Sequence, residues 1–323
     1  MTTTLTASGP ADLLAAVPVV LGFRPHNSLV MLTFGDGHTF HARVDLPAQA
    51  HEVTDEIVAA LLGPSLRHDV ERVAFLVYSG DRSLAATLAT ALVPAFVAEG
   101  IGVIDVIRAH DGGWCSVPLR AGAAEPPLTP YDDTHHPFSA QAVFEGRVTL
   151  GSREEVRASV APDLELRRRW RECLVRRETS AETAAESAEE SARAARALVD
   201  GWVRSGDGPD DEGAARVLAV VARVEVRDAV LYAVTRDTVH DHLRVWSALL
   251  RGAADDQVPD VAAVTAFCAW QAGHGALAWC ALDRCFEVDP DHRLGQCLAE
   301  CLLRALPPSA WSEVGDDRAT PSG

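Results

Sequence analysis

The apolar residues of this chain change their spacing once, and this change separates two kinds of structure. Up to about residue 162, short apolar or alternating runs that suit β-strands are separated by segments with helical spacing. After Gly206–Pro209 every periodic segment has helical spacing. Because strands and helices require apolar periods of about 2.0 and 3.6 residues, the pattern predicts a mixed α/β domain followed by an all-α domain.

A β-hairpin is predicted near the start of the chain. Ser28–Phe34 and Thr39–Leu46 are strand-like runs, and Gly35-Asp36-Gly37 between them supplies the positive-φ residues of a tight turn. A helix is expected before the hairpin over Asp12–Leu21, and a second one after it over Val53–Leu62, where a Gly-Pro pair stops it. The spacing therefore predicts a sheet with helices packed on it.

A parallel crossover is predicted next. Arg72–Tyr78 and Gly102–Ile107 are strand-like, and Ser83–Ala98 between them has helical spacing, which is the pattern of a right-handed strand–helix–strand unit. Trp114–Pro118 is expected to be an edge strand, since proline cannot donate to a ladder. No G-x-G-x-x-G loop follows any strand, so residues 1–162 are predicted to form a mixed sheet rather than a doubly wound nucleotide fold.

The two halves are joined by a segment of unusual composition. An arginine block over Arg167–Arg177 leads into an Ala/Glu/Ser stretch without large apolar residues, so residues 163–208 are predicted to be a helical, solvated linker. Whether residues 178–197 are helical or disordered stays open at this point. Residues 209–308 are assigned to the all-α domain, and residues 309–323 are expected to be a disordered tail.

One spacing in the second half is specific. Ala278, Leu282, Cys285 and Pro290 have the spacing of the second helix and exit turn of a tetratricopeptide-type repeat. Only one such unit is visible, whereas a stable solenoid needs about three. The spacing predicts a tetratricopeptide-like helical hairpin within the all-α domain.

The basic residues limit the chemistry, because all 29 of them are arginine. A chain without lysine cannot form a Walker-type phosphate loop or a Schiff base with pyridoxal phosphate, since each needs an amine. Its 46 acidic residues bring the net charge to −17, which argues against nucleic acid and anionic membranes as partners. Met1–Leu21 has no basic start and no uninterrupted apolar run, so we expect a cytoplasmic protein.

Cysteines and histidines occur in clusters that lack the spacing of metal sites. Cys297 and Cys301 lie four residues apart on a predicted helix, but no CxxC pair occurs among the seven cysteines. The loop Tyr131–His136 (YDDTHH) could hold a cation, although a turn-rich loop would look the same. Without a GxSxG, HExxH or EF-hand pattern, we assign no metal ligand, cofactor or catalytic residue, and whether the protein is an enzyme stays open.

The segment between the first helix and the hairpin is the best candidate for a binding site. Six side chains are expected to meet at the mouth of a pocket: Arg24, Asn27, Ser28, Arg43, Asp45 and Tyr78. An arginine fork there could hold a carboxylate or phosphate. A structural explanation is equally open for two of them, because Arg43 and Asp45 share one face of their strand and could form an ion pair.

Six blocks of the chain have the order of one known family. They are ADLLAAVPVVLGFRPHNSLVMLTF from Ala11, ARVDLP at Ala42–Pro47, FLVYSGD at Phe75–Asp81, HPFSAQAVFEGRV at His136–Val148, EVRDAVLY at Glu225–Tyr232 and AWQAGHGALAWCALDRCFEVDP at Ala269–Pro290. The chain resembles the actinobacterial family catalogued as domain of unknown function 4192 over nearly its whole length, apart from the linker and the tail. The resemblance implies a GC-rich actinobacterial source and carries no established activity.

Two functions follow from these observations. We expect a non-catalytic protein-interaction or regulatory module whose all-α domain binds a protein partner or a second copy of the chain. The alternative is a small-molecule-binding protein or an enzyme with an anionic-ligand pocket in the N-terminal α/β domain.

Overall fold

A computed structural model describes residues 7–35, 40–47, 50–120, 123–144, 149–179 and 187–311. The chain divides into two units, Met1–Arg153 and Glu154–Gly323. The first unit contains a β-sheet with helices, and the described residues of the second unit form helices and the turns between them. The predicted combination of a mixed α/β part followed by a mostly helical part is therefore confirmed.

Six strands of the first unit form one mixed sheet in the order β2-β1-β3-β4-β5-β6. In chain order the elements are α1 (Pro10–Leu21), β1 (Ser28–Phe34), β2 (His41–Asp45), α2 (Thr54–Arg67), β3 (Arg72–Tyr78), α3 (Arg82–Ala98), β4 (Gly102–His110), β5 (Gly113–Ser116), β6 (Thr129–Pro130) and α4 (Pro137–Phe144). Strands β3 and β4 are parallel, and every other neighbouring pair is antiparallel.

The predicted hairpin and crossover are both present. Strand β1 pairs with β2 in the antiparallel sense, with Val30 opposite Arg43. The predicted turn residues Asp36 and Gly37 lie outside the described residues. Strands β3 and β4 pair in parallel with α3 between them in the chain, as the strand–helix–strand spacing predicts.

The side chains of the central strands alternate between two cores, one on each face of the sheet. On one face Leu29 and Met31 of β1 pack with residues of α2 and α3, such as Leu61 and Leu88. On the other face the neighbouring residues of β1 pack with α1. Because successive strand residues point to opposite faces, a strand covered by helices on both sides is a continuous apolar run. This explains the sequence SLVMLTF of β1.

Two predicted boundaries in this unit are wrong. Helix α2 does not stop at Gly63-Pro64 but continues to Arg67, because Leu61 and Ser65 extend its buried stripe and the Ser65 hydroxyl donates to the Leu61 carbonyl oxygen at 2.8 Å. Strand β5 is not at the edge, since the two-residue strand β6 pairs outside it with Pro130 opposite Gly113. Pro118, the proline on which the prediction rested, lies beyond the end of β5. A different proline, Pro130, stands on the edge strand β6, a position that proline tolerates.

The described helices of the second unit surround one that is almost entirely buried. They are α5 (Arg153–Ser159, which begins at the last residue of the first unit), α6 (Leu164–Thr179), α7 (Ala188–Ser205), α8 (Asp211–Val220), α9 (Val224–Leu231), α10 (Val239–Gly252), α11 (Val258–Gln271), α12 (Gly275–Val288) and α13 (Arg293–Leu303). Every residue of α11 from Val258 to Trp270 except Asp260 is buried, and the helix contacts α9, α10, α12 and α13. No described helix of the chain is both long and apolar enough to span a lipid bilayer.

Helices α6 and α7 occupy the segment 163–208, and they are packed rather than solvated on all sides. Trp170 of α6 and Trp202 of α7 are buried, and α6 contacts α8 and α10. Residues 180–186 of the Ala/Glu/Ser stretch and residues 312–323 of the predicted tail lie outside the described residues. The arginine-rich segment therefore belongs to the helical unit.

A glycine at the end of α10 permits close packing against α6. A Cβ atom on Gly252 would lie 2.2 Å from the buried ring of Trp170. We predict that Gly252→Ala lowers the free energy of unfolding of the helical unit by about 1–3 kcal/mol, because the ring or the backbone must move.

Gly201 in the middle of α7 is the matched control. No atom lies within 4 Å of its Cβ position, so Gly201→Ala should stabilise the unit by about 0.5–1 kcal/mol through helix propensity. Chemical denaturation measures both variants, and equal effects would contradict the close contact at Gly252.

Candidate functional site

Four loops enclose a cavity of about 420 Å³ at the carboxyl edge of the parallel pair β3–β4. The loops are those between α1 and β1, β3 and α3, β4 and β5, and β6 and α4. This edge is where α/β sheets commonly bind ligands, because the loops that follow parallel strands converge there. We call the space the edge cavity. Its lining includes Arg24, Asn27, Tyr78, His110, Tyr131 and Asp133.

Local backbone geometry brings these loops together. Asn27 and Asp111 have φ values of 41° and 47°, the left-handed region that asparagine and aspartate tolerate better than most residues. Gly80 lies under the imidazole of His110, where a Cβ atom would be 2.9 Å from ring carbon Cε1. A side chain at residue 80 would therefore force the His110 ring to move away from the β3–α3 loop.

Two phenols form one part of the lining. Burial raises the pKa of Tyr78 well above its usual value, and the nearby Tyr131 and Asp133 add to this effect. Burial, with a contribution from Asp133, also raises the pKa of Tyr131. Both phenols are therefore protonated throughout the neutral range and can donate hydrogen bonds to a ligand.

The charged groups of the lining are mostly paired with one another. Arg24 Nε donates to Asp133 Oδ2 at 3.0 Å. Asp132 accepts from the Thr134 hydroxyl and backbone amide, and its carboxylate lies 2.7 Å from His135 Nδ1, so its pKa is strongly lowered, chiefly by Thr134. The wall formed by Tyr131, Asp132 and Asp133 therefore presents carboxylate oxygens to the cavity.

A buried ion pair fixes the β3–α3 loop beside the cavity. Arg108 is 1% exposed and donates from Nε and Nη2 to the two carboxylate oxygens of Glu125, at 2.6 and 3.0 Å. Its Nη1 donates to the Ser79 carbonyl oxygen at 3.1 Å. Glu125 also accepts from the Cys115 thiol and pairs with Arg82. Arg108 thus links β4, the loop around Glu125 and the first residue of the β3–α3 loop.

The ionisation of this cluster follows from its contacts. The hydrogen bonds from Arg108 lower the pKa of Glu125, and burial raises the pKa of the Cys115 thiol to about 11. At neutral pH the cluster is therefore a guanidinium, a carboxylate and a protonated thiol. The thiol is a structural donor, since nucleophilic cysteines need a lowered pKa.

The six residues predicted from the sequence separate into two groups. Arg24, Asn27 and Tyr78 line the edge cavity. Arg43 instead pairs with Asp45 on β2, and its guanidinium carbon lies 5.3 Å from the centre of the Phe23 ring. Ser28 is fully buried, and its hydroxyl donates to the His26 carbonyl oxygen at 2.6 Å.

Asp45 belongs to an ion-pair network rather than to the edge cavity. Its second carboxylate oxygen accepts from Arg153, so two guanidinium groups hold it on the outer strand of the sheet. The ion pair between Arg43 and Asp45, which the strand period allowed, is present. It has a structural explanation that needs no ligand.

Several cavity residues were not among the six, although a sequence signal existed for some. His110 ends β4, and the predicted parallel crossover places the ends of β3 and β4 at the same edge. Tyr131 and Asp133 belong to the YDDTHH loop, which the sequence marked as a cation candidate. Within the described ranges, no three His, Cys, Asp or Glu side chains form a group that could hold a metal ion.

A serine, a histidine and an aspartate also meet at the start of α3. His51 Nε2 lies 3.4 Å from Asp81 Oδ2 and 3.5 Å from the Ser83 hydroxyl. A catalytic relay needs the acid and the nucleophile on opposite ring nitrogens, whereas both contact Nε2 here. Asp81 instead caps α3 by accepting from the backbone amides of Ser83 and Leu84.

Comparison with known proteins gives one match. The family model described as Domain of unknown function (DUF4192) matches residues 10–309, which include every described residue of the edge cavity and all thirteen described helices. No curated protein and no solved structure matches the chain.

The two arginines that bind Glu125 provide a matched pair of variants. Arg108 is buried, whereas the Arg82 side chain is 73% exposed. We predict that Arg108→Met lowers the free energy of unfolding of the first unit by about 3–5 kcal/mol, because the largely buried Glu125 carboxylate loses its buried guanidinium and keeps only the exposed Arg82 and the Cys115 thiol. Arg82→Met should cost less than about 1 kcal/mol. Urea denaturation measures both, and equal losses would show that the buried pair does not dominate.

The same pair predicts a dependence on pH. The pKa of Glu125 is lower in the folded protein than its ordinary value of 4.5, so its stabilisation is complete above pH 4.5 and is lost as the pH falls through the folded-state pKa. The difference in unfolding free energy between the wild type and Arg108→Met should therefore be constant from about pH 6 to 8, by this linkage, and shrink below about pH 4.5. A difference that stays constant down to acid pH would contradict an ionised Glu125.

Proposed function

The chain belongs to the family described as Domain of unknown function (DUF4192), and we propose that its first unit binds a small, hydroxyl-rich molecule in the edge cavity. The observation that carries the proposal is the convergence of Arg24, Asn27 and Tyr78 with Tyr131 and Asp133 at the carboxyl edge of β3–β4. A concave site with a few converging polar groups is the usual form of a small-molecule site.

The charges favour a neutral ligand over an anion. Arg24 is already paired with Asp133, so a ligand carboxylate or phosphate would have to displace that carboxylate. The N-terminus of α3 beside the cavity is occupied by the carboxylate of Asp81, which takes the position that an anion would use. An anionic ligand was the sequence-based alternative and stays a prediction that the experiment below tests.

The lining offers the donors and acceptors that hydroxyl groups require. The phenols of Tyr78 and Tyr131 donate, the carboxylates of Asp132 and Asp133 accept, and the tyrosine rings provide apolar faces. A polyol, a sugar or the ribose of a nucleoside presents several hydroxyls on an apolar frame. We therefore assign the ligand to this class.

Binding is better supported than catalysis. The pKa values of both tyrosines are raised and that of Asp132 is lowered, so these groups keep one protonation state across the neutral range. General acid–base catalysis requires groups whose pKa values lie near the working pH, so these three groups are unsuited to it. His26 and His110 also line the cavity, and an enzyme therefore stays the alternative. We propose a binding or regulatory protein, in which occupancy of the edge cavity is the signal.

A protein-interaction role of the helical unit is the second candidate function. Its support is a groove beside α6, described in the next subsection. The arginine block is a poor surface for nucleic acid, because Arg167, Arg169 and Arg176 each pair with a carboxylate. The tetratricopeptide-like character of the α11–α12 hairpin, the cytoplasmic location and the actinobacterial source stay predictions.

A thermal-shift panel tests the binding proposal. Neutral sugars, polyols and nucleosides are compared with their phosphorylated forms, because a ligand at a hundredfold excess over its Kd stabilises the folded state by about 2.7 kcal/mol. We expect the neutral compounds to raise the Tm of the first unit, by roughly 5–10 °C for a ligand at that excess. Shifts with phosphorylated compounds alone would favour the anionic alternative, and no shift with either set would overturn the proposal.

Tyrosine variants then locate the site. Tyr131→Phe keeps the ring and removes one donor, so it should weaken binding of the best compound about tenfold by calorimetry. The control is Tyr232→Phe, since Tyr232 lies in the other unit against Trp311. Equal affinities of the two variants would place the ligand elsewhere.

A further inference from the structure

A groove of about 1000 Å³ runs along α6 in the helical unit. One face of α6 forms its first wall, and the turn between α10 and α11 forms the opposite wall through Ala254–Gln257. Ala215 and Leu218 of α8 lie between the walls. We call this space the α6 groove. Its α6 wall includes Leu164, Arg167, Arg168, Arg171, Leu174 and Val175.

Part of this wall is one face of α6. Leu164, Arg168, Arg171 and Val175 recur at three- and four-residue intervals over three turns, a length of about 16 Å at 1.5 Å per residue. Leu164 is 74% exposed and Val175 is 50% exposed. This face therefore has apolar surface at both ends that a partner in the groove would cover.

The two walls carry opposite charges, and most of these charges are paired within the chain. Arg167 reaches across to Asp255 at 2.9 Å. Arg168 pairs with Glu165 and Glu172 of its own helix. Because these charges are already paired, the unpaired charges of the groove determine which partner is electrostatically complementary to it.

Two charges remain, one on each wall. Arg171 on α6 and Asp256 on the opposite turn both line the groove and are exposed. Neither has an ion-pair or hydrogen-bond partner in the part of the chain that the structure describes. A partner that neutralises both must offer an anionic group to Arg171 and a cationic group to Asp256, and a second copy of the groove offers a carboxylate and a guanidinium.

We propose that a second copy of this chain docks in the α6 groove about a two-fold axis. With the two-fold axis along the groove, each wall of one copy faces the opposite wall of the other, so residue 171 of each copy faces residue 256 of the other. A surface with one free basic and one free acidic group on opposite walls is complementary to itself under this operation. The exposed Leu164 and Val175 would be covered by the same contact.

The proposal does not rest on ligand binding at the edge cavity, because all of its residues belong to the helical unit. The sequence left two partners open for the helical unit, another protein and a second copy of the chain, and the proposal selects the second copy. A purely basic groove would fit an acidic peptide, whereas unpaired charges of both signs fit a copy of the groove itself.

Charge reversal tests this pairing with the full chain. Arg171→Asp and Asp256→Arg are each measured alone by sedimentation equilibrium, over about a hundredfold range of concentration. We expect a reversible wild-type dimer and at least a roughly tenfold higher dissociation constant for each variant, the effect of two facing like charges. Arg293→Asp is the control, because Arg293 is exposed at the start of α13 outside the groove and this variant should dimerise like the wild type.

Mixing the two variants gives the decisive outcome. In a mixed dimer the two substituted positions would face each other with opposite charges, and so would the two unchanged ones, Arg171 of one copy and Asp256 of the other. An equimolar mixture should therefore form heterodimers with wild-type affinity. Restoration also shows that both variants fold. A wild type that is monomeric at every concentration, single variants that dimerise normally, or a mixture that stays monomeric would each overturn the proposal.

Discussion

The buried guanidinium of Arg108 holds the first unit in the shape that creates the edge cavity. It uses three nitrogens to join Glu125 and the Ser79 carbonyl oxygen, so the strand β4 and two loops share one anchor. An ammonium group could not hold two carboxylate oxygens and a carbonyl oxygen in one plane. Burying such a pair costs desolvation energy, which is offset only when its hydrogen bonds are made. The contacts of Cys115 and Arg82 with Glu125 complete that set.

The elements that could be predicted are those whose pattern is local. The apolar runs of β1, β3 and β4 specify strands, the segment between β3 and β4 specifies a helix, and together they imply a parallel pair whose carboxyl ends meet. Tyr78 could therefore be placed at a site from sequence. Arg43 and Asp45 could not, because strand order is a tertiary property: β2 pairs only with β1, which separates it from β3.

The rest of the cavity depends on contacts between residues far apart in the chain. Arg24 and Asp133 are separated by 109 positions, and neither lies in a segment whose apolar spacing could predict the contact. Composition was similarly misleading at α6, whose arginines suggest a solvated linker. The helix is packed because a few buried side chains, among them Trp170 and Cys173, suffice to attach it. The arginines occupy its remaining surface, mostly in ion pairs.

All basic residues of this chain are arginine. The contacts of each guanidinium group decide whether its charge stabilises the fold or is free to bind a partner. Arg108 makes hydrogen bonds with three of its nitrogens inside the first unit and is only 1% exposed, so its charge stabilises the fold and is not accessible to a ligand. Arg24 is paired but partly exposed at a cavity, so a ligand can contact it only alongside Asp133. Arg171 is unpaired among the described residues. The paired charges of the edge cavity therefore favour a neutral ligand there, whereas the unpaired charges of the α6 groove favour a charged, self-complementary contact.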